Sequence, residues 1–291
     1  MSFTIVGLGG SSIVTATTDG QSVWKGYEVW IRGKRCASRD ECEDLLAKEA
    51  RIYQRLGQHA NILWCDGLVE VHLGVHSLQL ERALHGNVRE FIEKNKTNPP
   101  HEMERLKMSI AVSRGIAHAH SKDITHGDLS CCNLLLFPGW FVKVGDFGSA
   151  SVVGVTSKDD FVEEIRYELP LRGRNFEDRP RIKRDLFALG SAMYEIMTWG
   201  KPFEDLGTDD IENKYSAEEF PDVTHLSTGD IIRRCWDEDF PRAEDVADAL
   251  CDLQQQPTIP QSLPMIVYGT SAAPVYLYIN FCLRVCSNQL L

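Results

Sequence analysis

Between His126 and Gly148 the chain reads HGDLSCCNLLLFPGWFVKVGDFG, and three oxygen-bearing side chains, Asp128, Asn133 and Asp146, stand at turns beside short apolar runs. Two strand-like runs, Leu134 to Phe137 and Phe141 to Val144, follow Asn133 and are joined by a Pro138-Gly139 turn. A hairpin of that form returns Asp146 towards Asn133. Oxygen-bearing side chains brought together this way suit a site for a metal and phosphate. The stretch therefore offers metal and phosphate chemistry.

The elements that must position these groups come from a chain of 291 residues, 43% apolar and 25% charged, an ordinary globular composition with material for a sizeable core. Net charge is -11, with no run of five or more basic residues, which argues against a sequence-independent grip on nucleic acid. Positive charge for a phosphate must be supplied locally. The nine cysteines include no CxxC pair and fit free thiols in a reducing compartment, so the chain reads as intracellular and cytoplasmic. Its start carries no secretory signal pattern. An apolar stretch from Met265 to Cys282 approaches a membrane span in length, but Gly269, Pro274 and Asn280 make it a poor one.

Upstream, Phe3 to Val6, Ile13 to Thr17 and Ser22 to Lys25 read as three strands, separated by GLGGSS and by an Asp19-Gly20 hairpin turn. Glycines in the first turn let backbone N–H groups approach a phosphate, although a glycine hairpin without function has the same appearance. A strand follows these glycines, where a Rossmann fingerprint requires a helix. Ser38 with Glu41 forms a capping box, and Leu45, Glu49, Ile52, Tyr53 and Leu56 recur at helical spacing. Glu49 falls on the apolar face. It either has a buried partner or lies at the edge of the face and reaches water. Gly67 to Arg82 reads as two strands, Asn87 as a helix cap, and Met103 to Ser121 as a long core helix. Periodicity then lapses after Gly148 until a helix from about Lys183, with further helices at Asp230 to Cys235 and Arg242 to Gln254.

Taken together, His126-Gly127-Asp128 with Asn133 resembles the catalytic loop of the eukaryotic-like protein kinases, and Asp146-Phe147-Gly148 their magnesium loop. Gly7-Leu8-Gly9-Gly10-Ser11-Ser12-Ile13-Val14 is similar to their glycine-rich loop, and the run from Glu49 to Ile62 and the helix from Arg184 to Phe203 follow the family pattern. The resemblance extends from about Thr4 to Leu253. It implies an α+β, bilobal fold: a small N-lobe over 1–83 built from an antiparallel sheet and one helix, a larger, mainly helical C-lobe over 84–254, and an apolar tail over 255–291 of unassigned role. It also implies ATP and Mg2+ as cofactors and a protein substrate. Lys25 would hold the α/β-phosphates and Glu49 would orient it, while Asn133 and Asp146 would hold the metal. Asp128 would take the acceptor proton, and Asp185 would brace the loop backbone. Val6, Val14, Val23 and Leu135 would enclose the adenine beside Gly7 and Gly9. Leu80 would stand as gatekeeper, and Glu81 and Ala83 would offer backbone groups to the base.

The chain departs from that pattern at several places. Gly127 replaces an arginine, which puts control through phosphorylation of Thr156 or Ser157 in doubt; Ser130 replaces a lysine, and Ser12 the third glycine. Leu171 and Phe240 occupy the places of an ion pair and are expected to touch as an apolar pair. The leading expectation is a protein kinase that phosphorylates serine or threonine. The alternatives are a pseudokinase that binds nucleotide or partners without efficient catalysis, and a small-molecule phosphotransferase of the aminoglycoside and choline kinase kind, whose His-Gly-Asp and Asn spacing is similar.

Overall fold

Alternation of apolar and polar side chains at the start of the chain gives an antiparallel meander. In the computed structural model, which describes residues 4–8, 12–26, 30–31, 34–35, 39–72, 74–154 and 163–255, β1 (Thr4–Leu8), β2 (Ile13–Ala16) and β3 (Ser22–Gly26) pair in succession. Two short pieces follow, β4 (Trp30–Ile31) and β5 (Lys34–Arg35), then α1 (Arg39–Leu56), β6 (Cys65–His72) and β7 (Val75–Glu81). The five-stranded sheet has the order β1-β2-β3-β7-β6, so β7 crosses back to lie beside β3. Trp24 pairs with Gln79 and Lys25 with Leu78 in that register. On β3, period two turns Val23 and Lys25 to the buried side together.

The remainder is mainly helical. It contains α2 (Val88–Lys94), α3 (Glu102–Ser121), β8 (Ile124–Thr125), β9 (Leu134–Phe137), β10 (Phe141–Val144), β11 (Ser151–Val152), α4 (Arg181–Thr198), α5 (Thr208–Ser216), α6 (Gly229–Trp236) and α7 (Ala243–Gln255). The architecture is the expected bilobal α+β fold. Its core runs through α3 and α4, whose buried residues include Leu106, Ile110, Ile116, Leu186, Leu189 and Met193. The Asn87 side chain accepts the Glu90 N–H at 2.8 Å and so caps α2.

Several details depart from the sequence reading. On α1 the buried apolar positions are Leu46, Ile52, Tyr53 and Leu56, while Leu45 is exposed, so the face is rotated by one residue at its start. Pairing of β8 with β11, and α5, had no periodic signal. Ser38, Gly9, Thr156, Ser157 and the tail lie outside the described residues. Among the described residues no helix is long and apolar enough to cross a membrane.

The expected contact between Leu171 and Phe240 is overturned. Phe240 is 2% exposed inside the core, whereas Leu171 is 47% exposed and outside it. The neighbouring residues explain why. Arg172 and Arg174 both reach Glu238 at 2.7 Å, and Lys183 donates to the carbonyl of Phe240 at 2.7 Å. An ionic tie thus persists between these two segments, carried by adjacent residues, and the Leu171 side chain is left facing outwards.

Candidate active site

The hairpin of β9 and β10 pairs Leu134 with Val144 and Phe137 with Phe141, and the Gly145 N–H donates to the Asn133 carbonyl at 2.9 Å. The turn therefore delivers Asp146 to the place where Asn133 leaves the loop. Asp146 has φ 55°, a left-handed conformation that costs a non-glycine residue about 1 kcal/mol. Its carboxylate accepts the Gly148 N–H at 3.4 Å and lies 2.6 Å from Lys25 Nζ.

Lys25 is the cation at the centre. Its ammonium is 3.0 Å from Glu49 Oε1 and 2.9 Å from Oε2, and both side chains are buried. Of the two readings left open for Glu49, a buried partner is the one found. Burial raises the Glu49 carboxyl above its ordinary range against the pull of Lys25, and the charge of Asp146 adds to the rise. At Asp146 burial also pushes upwards, but Lys25, His126 and the Gly148 N–H together outweigh it and hold the carboxyl below its ordinary value. One ammonium thus faces two carboxylates of opposite tendency.

Asp128 and Asn133 form the other half. The Asn133 amide nitrogen donates to the Asp128 carbonyl at 2.6 Å and to its Oδ2 at 3.1 Å, so the amide oxygen is the atom available to a cation. Burial raises the Asp128 carboxyl, His126 and Asn133 oppose the rise, and Asp146 and Glu163 reinforce it. A carboxylate of increased basicity suits proton acceptance. The Asp146 side chain is 44% exposed, so a metal can reach it from solvent. Among the described residues no three His, Cys, Asp or Glu side chains converge as a metal site. Magnesium completed by substrate phosphate and water needs only one or two protein carboxylates, so this donor set fits that ion.

Behind these groups Asp185, on α4, accepts the N–H groups of His126 and Gly127 at 2.8 and 3.0 Å and pairs with His120 at 2.9 Å. The His126 ring accepts the Asp128 N–H through Nδ1 and donates through Nε2 to the Gly145 carbonyl at 2.9 Å. Phe147 meets Tyr53 edge to face and His126 at a tilt, with centroid separations of 5.2 and 4.9 Å. Through these contacts α1, which carries Glu49, is packed onto the loop that carries Asp128.

The residues named for the adenine lie on the same sheet and hairpin. Val23 is buried, Val14 and Leu135 are half-buried and pack on the core, and Val6 is exposed on β1 beside Gly7. The Glu81 N–H is committed to the Trp64 carbonyl at 3.1 Å, so a contribution from Glu81 to a base would come through its carbonyl. Its side chain turns away to the Trp64 N–H and to Lys143, at 2.6 and 2.5 Å. Ala83 follows at the junction with the helical part and is half-buried.

Sequence reasoning missed a second buried cluster. Arg89 forks onto Glu195 at 2.6 and 2.8 Å, reaches Glu164 at 2.9 Å, and meets the Tyr167 hydroxyl at 3.1 Å. Burial works against this guanidinium, but Tyr167, Glu195 and Glu164 keep it firmly charged. The Tyr167 hydroxyl donates to Glu195 at 2.6 Å and accepts the Cys131 N–H at 3.4 Å, so the segment before α4 is tied to the catalytic loop. Partners this far apart in sequence leave no periodic trace; the sequence sign was an arginine in the first turn of α2, where acidic residues are favoured.

Comparison with known proteins agrees with this geometry. A family model described as protein tyrosine and serine/threonine kinase matches residues 7–248. The chain belongs to the protein kinase family. It is 27% identical over 86% of its length to the probable serine/threonine-protein kinase SIS8 of Arabidopsis thaliana. It is 26% identical over 78% to the dual specificity protein kinase shkE of Dictyostelium discoideum, and 26% identical over 62% to the human tyrosine-protein kinase FRK. The chain spans 25%, 34% and 36% of those relatives, respectively.

Proposed function

We propose that this chain transfers the γ-phosphate of ATP to a protein hydroxyl in a Mg2+-dependent reaction, with serine or threonine preferred. The observation carrying the reading is the placement of the Lys25 ammonium within 3.0 Å of both Glu49 and Asp146. Phosphoryl transfer depends on positioning and charge neutralisation far more than on covalent help, and ATP with its metal supplies the activated phosphoryl group. Lys25 holds the α/β-phosphates and Glu49 fixes its position. Asp146 and Asn133 bind the magnesium, and Asp128 accepts or orients the hydroxyl proton. Val6, Val14, Val23 and Leu135 enclose the adenine, Gly7 and Gly9 approach the phosphates, and Glu81 and Ala83 offer backbone groups to the base. Residues 1–83 act as the nucleotide-binding lobe and 84–254 as the lobe that receives the substrate. The serine/threonine preference is supported by the Arabidopsis relative, a probable serine/threonine-protein kinase whose similarity covers 86% of this chain.

One observation favours a second reading, a nucleotide-binding protein without efficient transfer: the loop HGDLSCCN carries no lysine or arginine to assist Asp128. Incubating purified protein with γ-labelled ATP, magnesium and a generic protein acceptor, followed by phosphoamino-acid analysis, separates the two. Label on serine and threonine that disappears in Lys25→Met supports the kinase. Nucleotide binding with no transfer supports the second reading, and label on tyrosine alone overturns the stated preference.

A further inference from the structure

Two consecutive residues near the start of α4 hold two different segments, the catalytic loop and the stretch before α4. Asp185 takes the backbone of His126 and Gly127. Arg184, the residue before it, takes Glu163, with Nε 2.5 Å from Oε1 and both side chains at most 5% exposed. Arg179 closes the other side of the same carboxylate. Its Nη2 stands 3.8 Å from Glu163 Oε2, beyond hydrogen-bond reach, so that contact acts through charge. Arg179 also holds the segment further along, donating to Glu168 at 3.0 Å and to the Leu169 carbonyl at 2.6 Å. Its guanidinium lies over the Phe176 ring at 4.1 Å, and that of Arg184 lies 5.7 Å from the same ring. In the same segment the Tyr167 hydroxyl accepts the Cys131 N–H at 3.4 Å, which places residues 163–171 against the catalytic loop.

A buried carboxylate between two arginines is doing here what a phosphate facing arginine does elsewhere: a fixed negative charge pins a segment. The position before Asp128 has no room for such an arginine. Gly127 has φ 78°, and a Cβ there would come within 2.8 Å of the Ser149 carbonyl oxygen. We propose that Glu163, clamped by Arg184 and Arg179, is a positioning residue that holds residues 163–171 against the catalytic loop without any phosphate on the chain. The inference rests on the phosphotransfer reading for its kinetic consequence, but its structural consequence can be read independently.

The test uses the full chain, dephosphorylated with a phosphatase and checked by intact mass. Hydrogen exchange over residues 163–171, phosphate transfer and Mg2+-nucleotide affinity are then compared with untreated protein. Dephosphorylated protein is expected to keep both its protection and its transfer rate. Glu163→Gln is expected to speed exchange in that segment about tenfold, and to lower kcat about tenfold with nucleotide affinity unchanged. The double variant Glu163→Gln with Arg184→Gln leaves neither member of that pair charged and guards against a merely misfolded single variant; it should show the same pattern. Loss of protection on phosphatase treatment, or unchanged exchange in both variants, would overturn the clamp. Absence of transfer from every form would sink the kinase reading alone, because the exchange result still decides whether the clamp exists.

Discussion

At the scale of single residues the site is governed by where charge is buried and what opposes it. Asp185 is the clearest case. Burial raises its carboxyl, but His120, His126 and the loop N–H groups outweigh burial and hold it below its ordinary value. A group lowered on folding contributes stability that is fully present above its unfolded value and is lost as pH falls through its folded value. Asp185→Asn should therefore cost about 2 kcal/mol at neutral pH. In urea titrations the gap between the two proteins should narrow as pH drops below the ordinary aspartate range; a gap that stays constant would show that charge is not what Asp185 contributes. Gly127 gives a second residue-scale prediction. Restoring the family's arginine by Gly127→Arg puts a side chain on a left-handed backbone against the Ser149 carbonyl. It should destabilise the fold by about 1–3 kcal/mol and leave transfer no faster. A faster, equally stable variant would mean that the loop readily adopts another conformation.

At the scale of elements, close packing sets the positions of the helices relative to the hairpin. Gly115 lies in the middle of α3, where alanine is favoured by about 1 kcal/mol on helix propensity alone. A Cβ there, however, would stand 2.7 Å from both the Asn61 carbonyl oxygen and a Val144 methyl. Those atoms belong to the loop after α1 and to β10, which are bonded through the Val144 N–H and the Asn61 carbonyl at 2.9 Å. Steric cost should outweigh propensity, so Gly115→Ala is expected to lower stability by about 1–3 kcal/mol in thermal or urea unfolding. A neutral or stabilising result would mean that β10 can retreat. Elements of this kind were largely legible beforehand: the β9–β10 hairpin announced itself through two apolar runs and a Pro-Gly turn, and α3 through its repeat. The paired roles of Lys25 and Glu49 were readable only through resemblance, since spacing could not tell a buried partner from an edge residue. Ion pairs between distant segments were not legible at all. Arg89 with Glu195, and Arg184 with Glu163, have no local period, and the expected pairing of Leu171 with Phe240 failed because adjacent residues carry the tie.

At the scale of the whole molecule, the sheet supplies a cation and the helical part supplies the oxygens, with the ring contacts of Tyr53, Phe147 and His126 joining them. A ligand that bridges both parts should stabilise the folded chain by mass action, by about 2.7 kcal/mol at a hundred times its dissociation constant. ATP with magnesium should therefore raise the melting temperature, while magnesium alone should do so little. Equal shifts from the two would argue against a site shared by phosphate and metal. The central claim is that Asp128, Lys25 and Asp146 form one phosphotransfer site. Its most direct test is single-turnover transfer from γ-labelled ATP by the wild-type chain and by Asp128→Asn at equal nucleotide occupancy. The account predicts magnesium-dependent labelling of protein by the wild type and a loss of about a hundredfold or more in the variant, with nucleotide still bound. Equal labelling by both proteins would contradict it.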